Sequence, residues 1–520
     1  MNRFFALLIT LAMVLSMCVA LPAVAAAETY DETITWWINP NLDVLVTAET
    51  LSDTAFGKEL SRRMGVNIQF IHPPAGQHVE QFNLIAASGD YYDIMSYNWN
   101  NNYPGGGAKA IEDGILLNLT EYYEGGKTPN LKALYTEYPF FEKLAKLDDG
   151  SIYSFPQTRI EDQLSTFIGL TLRADWLEKV GLDVPKTYDE LETILVAFKE
   201  QCGAEYPLSS QMDWWPALTG GYRVNLDMYI NDEGKVAYGY ADPGYKEFLT
   251  MLNRWAEMDL LDPEFKTQDR ASIDAKITGG KVGAYLGTPD SWLGTYMRLM
   301  TEVDPTVQMV GVTGLRVSAD DVPAMTQKDW EVTVSDWTTG ISTKAKNVEK
   351  CIEILDYLYS EEGNMLINFG IEGESYNMVD GQPIFVDSII NNPDGLTMKQ
   401  AMAQYAIGGL GNFPGNQNAA PVAQQRLFPC QNEAIAAWIA GGEESFAYRY
   451  PPVSVAVEDT EEYAELITDI KTYCEENYLR FIFGQRSLDE FDTYVEELKG
   501  MGLDRVIEIK QSAYDRFLAR

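Results

Sequence analysis

The clearest pattern of hydrophobic and polar positions lies between residues 347 and 370. Apolar side chains recur there at intervals of three and four residues, at Val348, Cys351, Ile352, Leu355, Leu358 and Tyr359. This spacing predicts an amphipathic helix that buries one stripe of side chains. Asn347 can cap its start, and Ser360 can begin a second helix that ends at Gly370. The pattern therefore predicts two ordinary helices packed on the core of an α/β lobe.

Short strands and helices alternate at the start of the chain. Strands are predicted at 34–38, 66–71 and 94–97, with helices at 51–64 and 77–87 between them. A strand–helix–strand order favours a parallel sheet. A loop rich in Asn and Gly follows at 98–107. Because ligand sites of α/β proteins lie in loops after parallel strands, this loop is a candidate site.

The middle of the chain predicts a boundary between two lobes. A strand at 152–155 is expected to end at Pro156, and a new apolar strand is expected over 164–172. Thr187 and Glu190 have the spacing of a capping box in front of a further helix. A break in the pattern between the two strands places the lobe boundary near residues 156–163.

The N-terminus has the pattern of an export signal. Arg3 precedes an apolar run, and small residues at 23–27 offer a cleavage site, so residues 1–27 are assigned to a signal peptide. A lipoprotein signal that uses Cys18 is the alternative, although Met17 stands where such a signal has a small residue. No later segment reaches the roughly 20 apolar residues of a membrane-spanning helix. We expect an extracellular or cell-surface protein, either secreted or lipid-anchored at Cys18.

The charge balance argues against a nucleic-acid partner. The 520 residues include 77 acidic and 39 basic side chains, which gives a net charge of −38, and no basic stretch could follow a phosphate backbone. The composition is 46% hydrophobic and 22% charged, which is typical of a globular protein. The length allows two to four domains or one large two-lobed body.

The cysteines do not form a recognisable framework. Four follow the predicted signal, namely Cys202, Cys351, Cys430 and Cys474, and they are far apart in the sequence. None belongs to a C-x-x-C motif. We expect free, buried thiols, with a single disulfide among the four as the alternative.

Motifs of catalytic and metal sites are incomplete. The spacing of His72 and His78 does not place them on one face of a helix. Glu121 stands where a phosphate loop ending in G-G-K-T needs its first glycine. In G-G-L-G-N-F-P at 408–414, Pro414 stands where a dinucleotide-binding motif needs its third glycine. A carboxylate pair for glycoside cleavage stays open, because acidic residues are abundant. We expect no metal and no cofactor.

Tryptophans recur where predicted strands end. They are Trp36, Trp37, Trp99, Trp214, Trp215, Trp292 and Trp337. A single tryptophan more often belongs to a core, but a flat indole also covers the apolar face of a sugar, whose hydroxyl rim needs polar partners. Burying about 100 Å² of sugar on each of two rings gives about 5 kcal/mol, whereas micromolar affinity needs about 8 kcal/mol. Polar neighbours must supply the difference, and the nearest are Asn39, Asp93, Asn98, Asn100, Arg159 and Asp290.

Longer segments of the sequence are distinctive in combination. They are I-S-T-K-A-K-N-V-E-K, L-Y-S-E-E-G and N-F-G-I-E-G-E-S-Y within 341–376, L-R-A-D-W-L-E-K-V-G-L-D-V-P-K-T-Y-D-E-L at 172–191, Y-K-E-F-L-T-M-L-N-R-W-A-E-M-D-L-L-D-P-E-F at 245–265, G-K-V-G-A-Y at 280–285 and S-L-D-E-F-D-T-Y-V-E-E-L-K-G-M-G-L-D at 487–504. Together they resemble the extracellular solute-binding proteins of carbohydrate ABC transporters, in the large lipoprotein-type branch. The resemblance extends over nearly all of the chain after the signal.

The resemblance implies an α/β, two-lobed periplasmic-binding-protein fold of type II, whose ligand cleft between the lobes closes by a hinge motion. It implies an N-lobe of residues 28–158 and 341–375, and a C-lobe of residues 159–335 and 380–520. The implied hinge crossings lie near 156–162, 336–342 and 372–385.

The resemblance also adds to the candidate site. By similarity to maltose-binding-type proteins, Trp292 is implied as a cleft tryptophan, Trp99 lies in an N-lobe loop, and Trp215 lies in a C-lobe segment that faces the sugar. Trp337 and Tyr376 stand beside two implied crossings and are expected to contact the ligand. The full set of predicted substrate-binding residues is Trp37, Asn39, Asp93, Asn98, Trp99, Asn100, Arg159, Trp214, Trp215, Asp290, Trp292, Trp337 and Tyr376.

One departure from the family pattern concerns calcium. Many relatives have a calcium loop of the D-x-D-G-x-G-x-x-D-E type after the helix that ends near residue 200. Residues 201–209 read Q-C-G-A-E-Y-P-L-S here and lack those carboxylates. We therefore expect no calcium at this position.

The resemblance predicts a binding protein rather than an enzyme. A monomer would capture an oligosaccharide outside the cell and deliver it to the permease subunits of an ABC importer. The alternative is a secreted carbohydrate-active enzyme, a glycoside hydrolase or a polysaccharide lyase, with a similar aromatic cleft. A third possibility is a module of this fold that senses a peptide or a pectin-derived signal.

Overall fold

The computed structural model describes residues 29–166, 168–321, 334–408, 412–440 and 445–520. The predicted signal peptide at 1–27, with Cys18, lies outside the described residues. So does part of the glycine-rich motif at 408–414.

The strands of the described residues are short. In chain order they are β1 (Thr33–Trp37), β2 (Asn67–Ile71), β3 (Ile94–Asn98), β4 (Phe155–Arg159), β5 (Gly169–Arg173), β6 (Tyr206–Ser209), β7 (Met228–Ile230), β8 (Val236–Tyr238), β9 (Val282–Gly287), β10 (Met309–Gly311), β11 (Val334–Ile341), β12 (Tyr376–Val379), β13 (Gln382–Phe385) and β14 (Gly415–Gln417).

Helices separate most of these strands and make up the C-terminus. In chain order they are α1 (Ala55–Met64), α2 (His78–Ser88), α3 (Trp99–Asn102), α4 (Gly106–Glu112), α5 (Thr120–Glu124), α6 (Pro129–Glu137), α7 (Pro139–Ala145), α8 (Asp162–Ser165), α9 (Ala174–Val180), α10 (Tyr188–Ala197), α11 (Pro243–Glu257), α12 (Arg270–Thr278), α13 (Thr295–Val303), α14 (Val348–Tyr357), α15 (Glu361–Phe369), α16 (Asp387–Ile390), α17 (Met398–Met402), α18 (Ala419–Ala423), α19 (Pro429–Ile439), α20 (Thr460–Ile482), α21 (Phe491–Gly500) and α22 (Leu503–Ala519). None of the helices among the described residues combines the length and the apolar character that a membrane crossing needs.

A six-stranded sheet in the order β14-β4-β11-β3-β1-β2 organises the N-lobe. β1 pairs in parallel with β2 and β3, which confirms the parallel opening that the sequence predicts. β11 runs antiparallel between β3 and β4, and β14 is parallel to β4. Both faces are covered. Trp36 packs into the cluster on one face and Trp37 into the cluster on the other, because successive side chains of a strand point to opposite faces.

The helix pair α14 and α15 confirms the prediction for residues 347–370. The Asn347 side chain accepts a hydrogen bond from the Lys350 amide at 3.0 Å, and Ser360 accepts one from the Gly363 amide at 3.1 Å. Leu355 lies fully buried in the N-lobe core. The backbone turns at Gly370, with φ +88°, after the last residue of α15. These helices therefore contribute packing.

A four-stranded sheet in the order β10-β5-β9-β6 organises the C-lobe. β5 is antiparallel to β10 and β9, and β6 is parallel to β9. The capping box of Thr187 and Glu190 is formed at the start of α10, as predicted. The largest hydrophobic cluster joins this helix to α11 and to the three C-terminal helices, with Leu191, Trp255 and Cys474 fully buried in it.

The chain crosses between the two sheets three times. The first crossing runs from Arg159 to Gly169, close to its predicted place, and the second lies between Gly311 and Val334. The third follows Gln417, because β14 still belongs to the N-lobe sheet. The expected crossing near 372–385 is therefore wrong, since those residues contain the β12–β13 hairpin. Residues 380–417 join the N-lobe rather than the C-lobe.

Two predictions about the middle of the chain are also corrected. Pro156 does not end a strand but lies in β4 opposite Thr338, beside an irregular stretch of the β4–β11 pairing. Proline is tolerated at the start of a strand or at such an irregularity, where a missing N–H costs little. The single strand expected over 164–172 is divided into α8, ending at Ser165, and β5.

The four cysteines Cys202, Cys351, Cys430 and Cys474 are free. This agrees with the preferred prediction of thiols and not with the alternative of one disulfide. Cys351 and Cys474 are buried, whereas Cys202 and Cys430 are only partly buried. Burial raises the pKa of the Cys351 thiol to about 12, because a thiolate would lose its hydration there.

Candidate ligand-binding cleft

One edge of the N-lobe sheet collects polar and aromatic side chains. β1, β3, β4 and β14 run in the same direction, so their carboxyl ends meet the first half of the antiparallel β11 at this edge. The residues there, which we call the strand-end row, are Asn39, Asn98, Trp337, Arg159 and Gln417. Trp337 is paired with Asn98, and Arg159 with Gln417. Four of these five residues were predicted from the sequence as substrate-binding.

Hydrogen bonds fix several members of the row. Arg159 donates from Nε to Gln417 Oε1 at 2.6 Å. The Asn98 side chain accepts the Asn101 amide at 3.1 Å and so caps α3. Burial lowers the pKa of the Arg159 guanidinium, which is nevertheless charged at neutral pH. The row thus holds a fixed cation beside several amide groups.

Trp337 supplies the aromatic surface of the row. Its ring lies 5.3 Å from the His78 ring and 6.1 Å from the Tyr97 ring, measured between centroids. The side chain is only partly buried against the N-lobe cluster beneath it. An indole held in this way by neighbouring rings keeps a surface on which a flat apolar group can stack.

The C-lobe presents a matching edge. Gly169 begins β5 opposite Gly287 at the end of β9. Just after β9, the turn Pro289–Gly294 carries Trp292, and after β6 the turn Met212–Leu218 carries Trp214. The rings of Trp214 and Trp292 lie 4.5 Å apart. Trp292 is 1% exposed beneath Trp214, whereas Trp214 itself is only partly buried.

Two arginines hold the Pro289–Gly294 turn. The Arg270 guanidinium lies 4.1 Å from the centroid of the Trp292 ring and donates to the Ser291 carbonyl oxygen at 2.6 Å. Asp290 accepts from Arg426 Nε at 2.9 Å, and the Arg426 side chain is 3% exposed. Asp290 therefore ties this turn to the segment that follows the third crossing.

Two of the crossings connect these edges of the sheets. The first crossing leaves the N-lobe sheet at Arg159 and enters the C-lobe sheet at Gly169. The third leaves at Gln417, and the two are joined by a hydrogen bond of 2.8 Å from the Ala419 amide to Glu161 Oε1. We therefore expect the strand-end row and the Trp214 edge to line one interlobe cleft.

Four predicted tryptophans lie in cores instead of the cleft. Trp37, Trp99, Trp215 and Trp292 are 2%, 0%, 1% and 1% exposed. Trp99 donates from its indole to the Thr338 carbonyl oxygen at 3.2 Å, and Trp215 packs on Phe265. These side chains have no free face for a sugar, so we omit them from the site.

Asp93 and Tyr376 also lie elsewhere. Asp93 precedes β3 and so stands at the opposite edge of the sheet, where its carboxylate accepts from the Thr35 amide and hydroxyl and from the Lys346 amide. Tyr376 is 6% exposed in a separate cluster with Phe369. Its expected role depended on a crossing near 372–385, which the structure does not have.

A cavity of about 500 Å³ lies where α3 faces the C-lobe. We call it the interlobe cavity; Asn100 and Asn101 line its N-lobe wall, and its C-lobe wall contains Asn225, Asp227, Arg449, Tyr450, Tyr463, Lys471 and Lys510. Of these residues, the sequence predicted only Asn100. The R-Y-P-P-V segment at 449–453 was the available signal, because adjacent prolines mark a fixed loop between helices.

Both histidines lie near the strand-end row, His78 against Trp337 and His72 just after β2. His72 donates from Nδ1 to the Ile38 carbonyl oxygen and accepts the Leu51 amide at Nε2, and burial lowers its pKa. In the part of the chain that the structure describes, no three His, Cys, Asp or Glu side chains stand close enough to hold a metal ion. Residues 201–209 contain the end of a π-helical segment, Phe198–Cys202, and then β6.

Comparisons with known proteins agree with this architecture. A family model for bacterial extracellular solute-binding proteins matches residues 50–365. Lipoprotein LipO of Bacillus subtilis is 23% identical over 491 residues, which cover 90% of this chain and 91% of LipO. The fructooligosaccharide ABC transporter substrate-binding protein FusA of Streptococcus pneumoniae is 24% identical over 505 residues, with 89% and 87% covered.

A solved structure extends the comparison to the fold. An HMO-binding, ABC-transporter-associated solute-binding protein from Bifidobacterium longum infantis superposes with a TM-score of 0.73 at 18% identity, over 94% of this chain and 99% of that one. The likeness shows a shared two-lobed fold. Because the family match spans more than half of the sequence, the chain belongs to the bacterial extracellular solute-binding proteins.

Proposed function

We propose that this protein captures an oligosaccharide outside the cell and delivers it to the permease of an ABC importer. The observation that carries the proposal is the meeting of two edges at the cleft, one with Trp337, Arg159 and the row amides, the other with Trp214. Membership of the solute-binding family and the likeness to FusA, which is named for fructooligosaccharides, support it.

The two partly buried tryptophans suit the apolar faces of sugar rings. Each indole can cover about 100 Å² of a sugar, so two give about 5 kcal/mol. Arg159 and the amides of Asn39, Asn98 and Gln417 offer donors and acceptors for the hydroxyl rim. The combination supplies affinity through stacking and selectivity through hydrogen bonds.

Closure of the cleft would trap the ligand. Three crossings join the lobes and suit a hinge, and each lobe has one partly buried tryptophan at the edge that we assign to the cleft. Sugar that contacts both lobes binds the closed form more tightly than the open form, so it shifts the population towards closure. The closed form is then the species that the permease recognises.

Binding without catalysis is part of the proposal. Glycoside hydrolysis needs a carboxylic acid whose pKa is raised so that it can protonate the leaving group. Burial raises the pKa of Asp356, but this carboxylate accepts hydrogen bonds from the Asn130 amide, the Asn130 side chain and the Leu131 amide. These contacts fix Asp356 at the start of α6 in the N-lobe, which supports a structural role.

Fluorescence titration with a panel of neutral and acidic oligosaccharides tests the function. We expect saturable quenching of tryptophan fluorescence and recovery of the sugar unchanged. Release of shorter or unsaturated products during the incubation would instead establish the hydrolase or lyase alternative. Fractionation of the producing cells tests export, because the protein should occur in the medium or on the cell surface, anchored at Cys18 in the second case.

A further inference from the structure

The interlobe cavity has a basic lining in a protein whose net charge is −38. Arg449, Lys471 and Lys510 line it, against the single carboxylate of Asp227. Lys471 is paired with Asp227 at 3.2 Å, and both side chains are about half exposed at the rim, with 48% and 51% of their surfaces accessible. Lys510 differs from Lys471, because its ammonium is not paired with Asp227.

Lys510 is held by aromatic rings and not by a carboxylate. Its ammonium nitrogen lies 4.7 Å from the centroid of the Tyr450 ring and 4.9 Å from that of Tyr463. Within the described residues, no carboxylate oxygen lies within 4.0 Å of this nitrogen. Rings of this kind orient an ammonium through their π faces, but they provide no acceptor for its three N–H groups.

The electrostatics of the cavity leave the ammonium poorly compensated. Burial lowers the pKa of Lys510 to about 8, Asp227 opposes this shift, and Lys471 adds to it. The group is therefore still protonated at neutral pH, in surroundings that stabilise its charge less well than water does. An anion brought into the cavity would restore the lost stabilisation.

We propose that the interlobe cavity binds a negatively charged substituent, a carboxylate or a sulfate, on the captured oligosaccharide, with Lys510 as its principal partner. This inference rests on the proposed function. The N-lobe wall adds the amides of Asn100 and Asn101, so an acidic sugar here would contact both lobes. The cavity, with about 500 Å³, has room for a sugar residue.

Matched oligosaccharides test the inference. Trisaccharides of galactose, galacturonic acid and 6-sulfated galactose, and the same three forms of glucose and mannose, are titrated into the purified protein by calorimetry. We expect the acidic members to bind at least tenfold more tightly than the neutral ones. The difference in affinity between the uronate and the sulfate forms identifies which anion the cavity binds.

Variants of Lys510 test whether this lysine causes the preference for acidic sugars. Lys510→Met keeps the aliphatic stem but removes the charge, and it should abolish the preference for acidic sugars. Lys510→Arg should retain most of it. Lys471→Met, at the rim of the same cavity, should reduce it by a smaller factor because that lysine already has a carboxylate partner.

Stability gives an independent readout. Since partial burial disfavours the charge of Lys510 and no carboxylate of the described residues pairs with it, the melting temperature of Lys510→Met without ligand should equal or exceed that of the original protein. A marked fall would show that Lys510 serves the empty fold, and it would overturn the inference. Tight binding of neutral sugars, or an acidic preference that survives in Lys510→Met, would also overturn it and leave the proposed function standing. Absence of binding by every trisaccharide would overturn the proposed function and this inference together.

Discussion

Trp214 and Trp337 differ from the other four candidate tryptophans in keeping part of the side chain exposed. Trp37, Trp99, Trp215 and Trp292 are at most 2% exposed. The sequence could not separate the two groups, because an indole satisfies a core and a sugar face equally well. What distinguishes them is packing. Trp292 packs against Trp214 and Arg270 and is buried, whereas Trp214 keeps part of its surface accessible.

Replacing Trp337 by alanine should weaken oligosaccharide binding. Loss of about 100 Å² of stacking surface costs about 2 kcal/mol, or roughly a 30-fold rise in Kd. Because the side chain is only partly buried, the melting temperature should fall little. Trp214→Ala should behave alike. Calorimetric titration measures both, and unchanged affinities in the two variants would place the ligand elsewhere.

Replacing Tyr376 by alanine should lower the stability of the fold and leave sugar binding unchanged, which is the reverse of the effect expected for Trp337. Its ring is 6% exposed and packs on Phe369, with centroids 5.7 Å apart. Truncating a buried aromatic side chain typically costs about 3 kcal/mol of folding stability. Urea unfolding should reveal this loss, whereas the folded variant should bind sugar normally. Weakened binding with full stability would instead restore Tyr376 to the cleft.

Among the elements, α15 and its C-terminal turn could be read from the sequence. Ser360 and Gly370 act locally, through hydrogen bonds and backbone conformation, and local signals of this kind are visible in sequence. β14 could not be found in the same way. It comprises three residues, Gly-Asn-Gln, with no hydrophobic alternation, and it belongs to the sheet through backbone pairing with β4. The third crossing was misplaced for this reason.

Gly370→Ala should destabilise the N-lobe. The residue has φ +88°, and an added Cβ would lie 2.6 Å from Ser375 Oγ and 2.8 Å from the Tyr405 Cβ. Gly373 is a matched control, since it has φ +83° but open space around the Cβ position. We expect Gly373→Ala to cost about 1 kcal/mol and Gly370→Ala clearly more, as measured by urea unfolding. Equal costs would show that the contacts around Gly370 relax freely.

The end of α22 connects the C-lobe to the N-lobe. Asp148 accepts from Arg516 Nε at 2.6 Å and from Arg520 Nη2 at 2.7 Å, and Lys143 donates to the Leu518 carbonyl oxygen at 2.9 Å. Burial alone would raise the pKa of the Asp148 carboxyl, but the two guanidiniums outweigh it and lower that pKa. The contact therefore stabilises the fold at pH values above the ordinary pKa of aspartate. This stabilisation is lost as the pH falls through the lowered pKa of Asp148.

Asp148→Asn should loosen this connection at neutral pH. Hydrogen exchange of residues 513–520 should be faster in the variant, because two ion pairs are lost at the last turn of α22. The difference should vanish in acid, where the original carboxyl is protonated as well. Asp149→Asn is the control, since the Asp149 carboxylate accepts hydrogen bonds from the amide and hydroxyl of Ser151, two residues away. Equal exchange rates at neutral pH would contradict a role for the ion pairs.

At the scale of the whole molecule, the two-lobed fold and the family could be predicted from the sequence. Both depend on many segments spread along the chain, so errors in single elements do not change them. The cavity at Lys510 could not be predicted. It is assembled from the 449–454 segment, α20 and α22 together with α3, which lies hundreds of residues before them, and its charge emerges only when these elements meet.

Hinge closure should be visible in solution. X-ray scattering with saturating oligosaccharide should give a smaller radius of gyration than scattering without it, because sugar that contacts both lobes favours the closed form. The Trp214→Ala, Trp337→Ala double variant should keep the larger radius at the same sugar concentration. An unchanged radius in the saturated original protein would contradict capture by closure.

The most direct test of oligosaccharide capture is a crystal structure of the protein with a sugar selected by titration. We predict intact sugar in the interlobe cleft, with one ring against Trp337, one against Trp214, and hydroxyls within hydrogen-bond distance of Arg159 and the neighbouring amides. A sugar bound on another surface, or a cleaved product in the cleft, would contradict this.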